Sequence, residues 1–390
     1  MNFKIPFSGR GHAYNSNEID AAIEAMHSPM SLTQGVYKNK FEKKFTEYAD
    51  SKYSYAVNTA TSALELTAQL CQFKDNDEVI IPSHTYTSSA YPFIKAGAKI
   101  VWADIELDTR VVSCATIEPC ITEKTKAIVV PHLYGYGADM DEIMDMAKGN
   151  NIIVIEDAAQ SLGVRINGRM TGTIADFGVY SFHSHKNMTT LGEGGMITTN
   201  HQEYAELIPM LRHNGHCDFS FKRENYWRPA MGNVDLPVLN NRHIMPSNYC
   251  MGEVECAIGI ELLDRIEELN QQKRDRAIYF IDSLKDFDQL AFHRVKSDRH
   301  NYHLLVAMDR SGKRDEFIKK MAYEEGIQCV VQYYPLNRYD LYDKLGYGDA
   351  NCPNADTFFD NMISFPFQHM LTDSELDQMI DSTKSVLKTI

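Results

Sequence analysis

The sequence predicts an α/β protein: a mostly parallel, seven-stranded sheet flanked by helices, followed by a smaller C-terminal α+β domain. Three observations carry this. Seven short apolar, β-branched runs bounded by turn residues recur through the first 200 residues. Helical segments lie between most of them. Beyond about residue 200 that alternation gives way to shorter, mixed elements, so the expected division is 1–250 and 251–390.

The strand-like runs are SYAV (54–57), EVIIP (78–82), KIVWADI (99–105), KAIVVPHLYG (126–135), IIVIEDAA (152–159), DFGVYSF (176–182) and GMITT (195–199). Several are apolar on both faces, as expected when helices cover both sides of a parallel sheet. Residues 61–72 place Ala63, Leu66 and Leu70 at helical spacing, and 139–148 read as a second helix. Residues 212–248, rich in Asn, Arg, His, Trp and Pro, lack a period and predict a long irregular excursion. A helix is expected from Gly252 to about Lys273, with Val254, Ile258, Leu262 and Ile266 on its apolar face. Then follow a strand at HLLVAM (303–308), a helix at 313–325, a strand at QCVVQYY (328–334) and a terminal helix from Asp373.

The composition narrows the function. The 390 residues carry 39 Lys+Arg against 53 Asp+Glu, a net charge of −14, and 44% are hydrophobic. That excludes a disordered or fibrous chain and argues against a nucleic-acid binder. Eight cysteines without a CxxC pair fit neither a zinc site nor a disulfide framework, so no metal is expected and reduced thiols are. The first 20 residues have no continuous apolar stretch, and no run approaches the ~20 apolar residues of a membrane span. A cytoplasmic protein without a membrane partner is expected.

Three features sit at or just after the ends of the predicted strands, where such a sheet presents its ligands. Asn58-Thr59-Ala60-Thr61-Ser62-Ala63 joins a strand to a helix whose free N–H groups could hold a phosphate; the alternative is ordinary capping by Thr61 or Ser62. Glu156-Asp157-Ala158-Ala159-Gln160 directs at least one carboxylate to a strand end, to pair with a cationic nitrogen or to cap a helix. Ser181-Phe182-His183-Ser184-His185-Lys186, followed by Gly192-Glu193-Gly194-Gly195, offers a lysine that desolvation could make nucleophilic, unless it is an ordinary surface group. The glycines are better read as a turn passing close to the site than as a nucleotide loop. A phosphate cradle, a carboxylate and a reactive lysine together describe a pyridoxal 5′-phosphate (PLP) site. Tyr86, after another strand, could stack on its ring or merely pack.

The blocks IPFSG (5–9), LTQG (32–35), EDAAQSLG (156–163), SFHSHKNMTTLGEGG (181–195) and SFPFQHMLTDSELDQM (364–379) resemble, nearly end to end, the DegT/DnrJ/EryC1/StrS sugar aminotransferases, which have the PLP fold type I of aspartate aminotransferase. The resemblance implies that Lys186 binds the cofactor as a Schiff base and shuttles the proton. It implies that Asp157 pairs with the pyridine nitrogen, Gln160 lies near the phenolic oxygen and Tyr86 stacks on the ring. The backbone amides of Thr61 and Ser62, with the Ser181 hydroxyl, would hold the phosphate. Asn248 would reach the phosphate of a neighbouring subunit, which implies a homodimer with shared active sites.

Three positions depart from the pattern: Ala60 replaces the usual glycine, Cys250 an arginine, and His185 a Thr, Ser or Gln. His185 either tunes Lys186 or belongs to the wall. The resemblance implies transfer of an amino group from L-glutamate to a keto sugar, nucleotide-linked or a keto-sugar acid such as 8-keto-3-deoxy-octulosonate. Arg212, Lys222, Arg223 and Arg228, with His183 and His216, are candidates to bind an anionic substrate; an ordinary solvated loop is the other reading. Relatives that act as sugar 3-dehydratases resemble this sequence with histidine at the lysine, and a regulatory homologue would be expected to lose Lys186 or Asp157.

Overall fold

The computed structural model describes residues 2–219, 232–236, 238–239, 242–295 and 297–390. Seven strands form the large sheet: β1 (Tyr53–Val57), β2 (Glu78–Pro82), β3 (Lys99–Ala103), β4 (Thr125–Pro131), β5 (Ile153–Asp157), β6 (Phe177–Ser181) and β7 (Gly195–Thr199). Their order is β1-β7-β6-β5-β4-β2-β3. β7 runs antiparallel to both its neighbours, and the other adjacent pairs are parallel. Every residue of β6 and β7 is buried, which is why these segments read as continuous apolar runs. Register levels the carboxyl ends of the central strands: Pro131 lies opposite Asp157, and Asp157 opposite Val179. The EDAA and SFHSHK segments therefore emerge on one edge.

Helices α1 (Ser16–His27), α2 (Val36–Ala49), α3 (Ala60–Leu70), α4 (Met140–Gly149) and α5 (Gln202–Arg212) precede α6 (Glu253–Leu263) and α7 (Ile266–Ser283). The expected single helix from Gly252 is thus two, broken around Asp264 and Arg265. Residues of α6 and the start of α7, among them Cys256, Leu262 and Leu269, share a core with Phe41, Phe45 and Phe182. A three-stranded antiparallel sheet follows, β8 (Leu290–Phe292), β9 (Leu305–Asp309) and β10 (Met362–Phe365), with α8 (Arg314–Lys320), α9 (Pro353–Asn361) and α10 (Asp373–Leu387). Phe280, Phe317, Ile363 and Phe365 fill its core.

One expectation fails in this half. QCVVQYY is no strand: only Val330 bridges to the small sheet, at Ser364. HLLVAM contributes to β9, which pairs with both β8 and β10, and the residues of β10 are buried throughout. Within 212–248, the described residues include two short hairpin-like pairs, His216–Cys217 with Asn233–Val234 and Val238–Leu239 with Arg242–His243. Among the described residues no helix is long and apolar enough to cross a membrane.

One long-range contact ties the N-terminal helices to α6. α2 begins at Gly35, which has no capping side chain. The buried Glu253 carboxylate accepts N–H bonds from Gly35 (2.8 Å), Tyr37 (2.8 Å) and Lys38 (3.3 Å) instead. It supplies both the missing acceptors and a negative charge at the helix's positive end. Glu253→Ala should destabilise the protein by about 2 kcal/mol or more, because buried donors lose a charged acceptor. The check is a lower midpoint of denaturant unfolding.

Candidate active site

The chain leaves β6 at Ser181 and turns back on itself. Phe182 N–H donates to the Gly194 carbonyl (2.8 Å) and Ser184 N–H to the Gly192 carbonyl (2.9 Å). Gly192, at φ 123°, adopts a conformation open to glycine. Gly195 must be small for another reason: a Cβ there would lie 2.6 Å from the Thr59 carbonyl carbon. The glycine-rich stretch thus lets β7 pass against the start of α3, as its reading as a close-passing turn anticipates.

Lys186 rides on this closed loop, its N–H donating to the His183 carbonyl (2.8 Å). The N-terminal segment braces the loop from outside. Gly11 N–H donates to the Ser184 carbonyl (2.7 Å), and the Ser184 hydroxyl to the Gly9 carbonyl (2.6 Å). A Cβ on Gly11 would sit 2.0 Å from the Lys186 carbonyl oxygen, so only glycine fits.

Strand alternation separates the two acidic residues at the end of β5. Glu156 is fully buried and accepts N–H bonds from Gly172 (2.8 Å), Ile174 (2.7 Å) and Ala175 (2.8 Å). His132 Nδ1 accepts the Ala138 N–H (3.1 Å), so its Nε2–H donates to Glu156 (2.9 Å). Glu156 is therefore a structural carboxylate. Asp157 faces the other way, into the cleft, accepting from the Ser89 hydroxyl (2.6 Å) and the Ala159 N–H (3.2 Å). No cation pairs with it among the described residues.

The cleft, about 500 Å³, brings together Lys186, Asp157, Gln160, Ser181, Tyr86 and Thr61. Gln160 is fixed at both ends: Oε1 accepts the Tyr134 N–H (2.7 Å) and Nε2 donates to the Tyr333 hydroxyl (3.2 Å). Tyr86 is 53% exposed at the mouth, its ring edge-on to Tyr333 at 5.7 Å. His183 and His185 also line the cleft, and His183 Nε2 is 3.8 Å from Glu193 Oε1. Burial lowers the pKa of His185, with His183 and Lys186 adding repulsion.

Several expected residues lie elsewhere. The N-cap of α3 is Thr59, not Thr61 or Ser62; its hydroxyl accepts the Ser62 N–H (3.0 Å). Ser62 also turns its own hydroxyl to Asn58 (2.6 Å), away from the cleft. The free helix-start amides are those of Ala60 and Thr61, both lining the cleft. Ala60 begins the helix without a positive φ, so replacing glycine there costs nothing in backbone strain. Arg212 is 2% exposed at the end of α5, where it binds Glu42 and the Ala56 carbonyl. That pairing makes it a core residue rather than a substrate contact. His216 packs on His213 with ring centroids 4.7 Å apart, outside the lining of the cleft. Asn248 bridges to His213 and is also outside that lining. Lys222, Arg223 and Arg228 lie outside the described residues.

Sequence reasoning missed Ser89, His132, His303, Gln332 and Tyr333. His132 directly follows β4, and a systematic reading of residues beyond strand ends would have found it. Tyr333 and His303 come from the C-terminal half and leave no local signal.

Electrostatically, the lysine stands between opposed influences. Burial lowers the Lys186 pKa to about 8, and the Asp157 carboxylate partly offsets that by favouring the cation. The arrangement fits PLP: an amine able to condense with an aldehyde, a carboxylate without a cation, and helix-start amides within one cleft. In cofactor-free protein, trapping of a small aldehyde on Lys186 with borohydride should rise with pH through about 8 and level off above it. Asp157→Asn removes the charge that holds the proton on, so its midpoint should fall further. Mass spectrometry of the Lys186 peptide reads both, and a midpoint near the unperturbed 10.5 is the contrary outcome.

Comparison with known proteins agrees with this geometry. The profile of the DegT/DnrJ/EryC1/StrS aminotransferase family matches residues 13–384. A GDP-perosamine synthase of Caulobacter vibrioides is 31% identical over 379 residues, covering 96% of each chain. A dTDP-3-amino-3,6-dideoxy-alpha-D-galactopyranose transaminase of Aneurinibacillus thermoaerophilus is 31% identical over 345 residues, 88% of each. Among solved structures, the PMP form of Spr1654 from Streptococcus pneumoniae, assigned as a sugar aminotransferase, superposes with a TM-score of 0.87 at 27% identity, covering 99% of this chain and 100% of that one. The chain belongs to the DegT/DnrJ/EryC1/StrS aminotransferase family, and it is a PLP-dependent transaminase.

Proposed function

We propose that this enzyme moves an amino group from L-glutamate to a keto sugar, nucleotide-linked or a free keto-sugar acid, in the biosynthesis of amino sugars for surface polysaccharide. The observation that carries the proposal is Lys186, with its pKa lowered to about 8, sharing a cleft with Asp157. The relatives named as sugar transaminases support the sugar class of acceptor.

When bound, PLP supplies an electron-accepting ring that stabilises negative charge developing on the substrate carbon. The protein supplies the rest. Lys186 Nζ would hold the cofactor's aldehyde end and would take and return the proton at the reacting carbon. Such positioned proton transfer contributes about 10²–10⁴-fold. Asp157, oriented by Ser89 and Ala159, keeps a proton on the ring nitrogen. The amides of Ala60 and Thr61 and the Ser181 hydroxyl would bind the phosphate, Gln160 would face the phenolic oxygen, and Tyr86 would cover the ring. Lys186 distinguishes this chain from the dehydratase pattern, and the presence of both Lys186 and Asp157 speaks against an inactive homologue.

The active unit in this proposal is a homodimer. Exposed Ile19, Ile23 and Met26 fall on one stripe of α1 and continue into Met30, Leu32 and Val36, an apolar face suited to a second copy. Asn248, outside its own chain's cleft, would complete the partner's phosphate site. The eight cysteines are all free, which supports a cytoplasmic setting.

Purified enzyme should be yellow, and borohydride should fix the cofactor to Lys186. Lys186→Ala should still bind PLP but lose at least about 10²-fold in glutamate-dependent amination. A panel of nucleotide-linked keto sugars and free keto-sugar acids, scored for amination, identifies the acceptor. Full turnover by Lys186→Ala, or no acceptor among either class, refutes the proposal.

A further inference from the structure

Beside the main cleft lies a smaller recess of about 20 Å³. It has room for about one water-sized group. His185, His303 and Leu304 line both spaces, so the recess adjoins the cleft. Its ionisable lining is basic throughout: Arg10, His185, Lys273 and His303, with no carboxylate among the lining residues. In a chain of net charge −14, such a concentration is the reverse of the average surface.

The arginine and the lysine have hydrogen-bonding capacity left. Lys273 is 6% exposed on α7, and its ammonium donates to Asn187 Oδ1 (3.2 Å) and the His303 carbonyl (2.9 Å), two of three N–H groups. Arg10 donates Nε–H to the His12 carbonyl (3.0 Å), and its guanidinium lies 5.2 Å over the Tyr14 ring. Among the described residues Arg10 has no carboxylate partner, which leaves its terminal nitrogens available. Gln368 Oε1 is buried there without a hydrogen-bond partner, so this amide can turn its NH₂ inward. Burial lowers the Lys273 pKa to about 7, and no described acid offsets it. His303 is held well below its usual range by burial, then by repulsion from Lys186, Lys273, His185 and His183. A buried cation without a countercharge is costly, and a bound anion would supply one.

We propose that the recess takes one oxygen of a substrate carboxylate, with Arg10 and Lys273 holding the anion. This deepens the aminotransferase reading and rests on it. A carboxylate suits the lining because one of its oxygens fills a water-sized space, guanidinium and ammonium groups both bind carboxylates, and the space is too small for a phosphate ester or a nucleotide. Either half-reaction can bring that group: the amino donor by its side chain, or a sugar acid by its own carboxylate.

The test is calorimetric titration of PLP-loaded enzyme with glutarate and, separately, 3-deoxy-octulosonate, in wild type, Arg10→Gln and Lys273→Met. Loss of a charged contact should weaken one of the two anions about tenfold or more, with the cofactor's absorbance unchanged. Weakened glutarate identifies the donor's carboxylate, and weakened octulosonate the acceptor's. Changes under about twofold for both anions in both variants, or no binding of either by wild type, overturn the proposal. Should Lys273→Met unfold, as read by circular dichroism, Arg10→Gln on its exposed segment decides alone. The titration requires no turnover. Failure of the aminotransferase reading would show separately, as wild-type colour that L-glutamate does not change.

Discussion

The Lys186 amine is buried and yet feels the charge of Asp157, and both effects come from the placement of the surrounding chain. Burial favours the neutral amine; Asp157 favours the cation. Their opposition depends on register, since Asp157 stands at the end of β5 beside β6, whose continuation carries the lysine. A shift of one residue in β5 would exchange the faces of Glu156 and Asp157. The carboxylate bound to three backbone amides would then point at the cleft, and the core would hold the other. Ser89 adds a local control from the segment after β2. By donating to one Asp157 oxygen it fixes the carboxylate's orientation while leaving its charge uncancelled.

Legibility of this fold in the sequence follows burial. EVIIP and GMITT match their strands at both ends because both faces of each are covered and turn residues bound them. The N-terminal helices α1 and α2 left no clear expectation. α2 buries Phe41, Phe45 and Ala49 among many lysines, and its N-terminal acceptor arrives from residue 253, which no local window contains. QCVVQYY has the composition of a strand and yet pairs at one residue only. There the chain instead delivers Tyr333 to the cleft, where it meets Gln160 and Tyr86. Composition reports a segment's tendency to extend and nothing of whether a neighbour stands ready to pair.

Similar logic divides the site. Residues carried by strand ends and the loops directly after them, namely Asp157, Gln160, Ser181 and Lys186, are legible because the sheet dictates where they emerge. Ser62 was misread because capping and phosphate binding use the same residue types at the same place, and only the Thr59 hydroxyl decides between them. Arg212 was misread for a simpler reason. A guanidinium reads as a solvent-facing charge until its partner is known, and Glu42 lies 170 residues earlier in the chain.

The N-terminal segment deserves a mechanical reading. Ile5 bridges to Ile327, the Phe7 amide donates to the Gln328 side chain, and the Gly11 carbonyl accepts the His369 N–H, while Gly11 also holds the carbonyl of Ser184. One extended stretch is thus stitched at intervals to the C-terminal half and at its far end to the backbone beside the reactive amine. Any rocking of that half would put this stretch under tension and tug on the lysine's own peptide, with Gly11 too closely seated to give slack. The smaller half and the backbone beside Lys186 are in this way joined through one short stretch of chain.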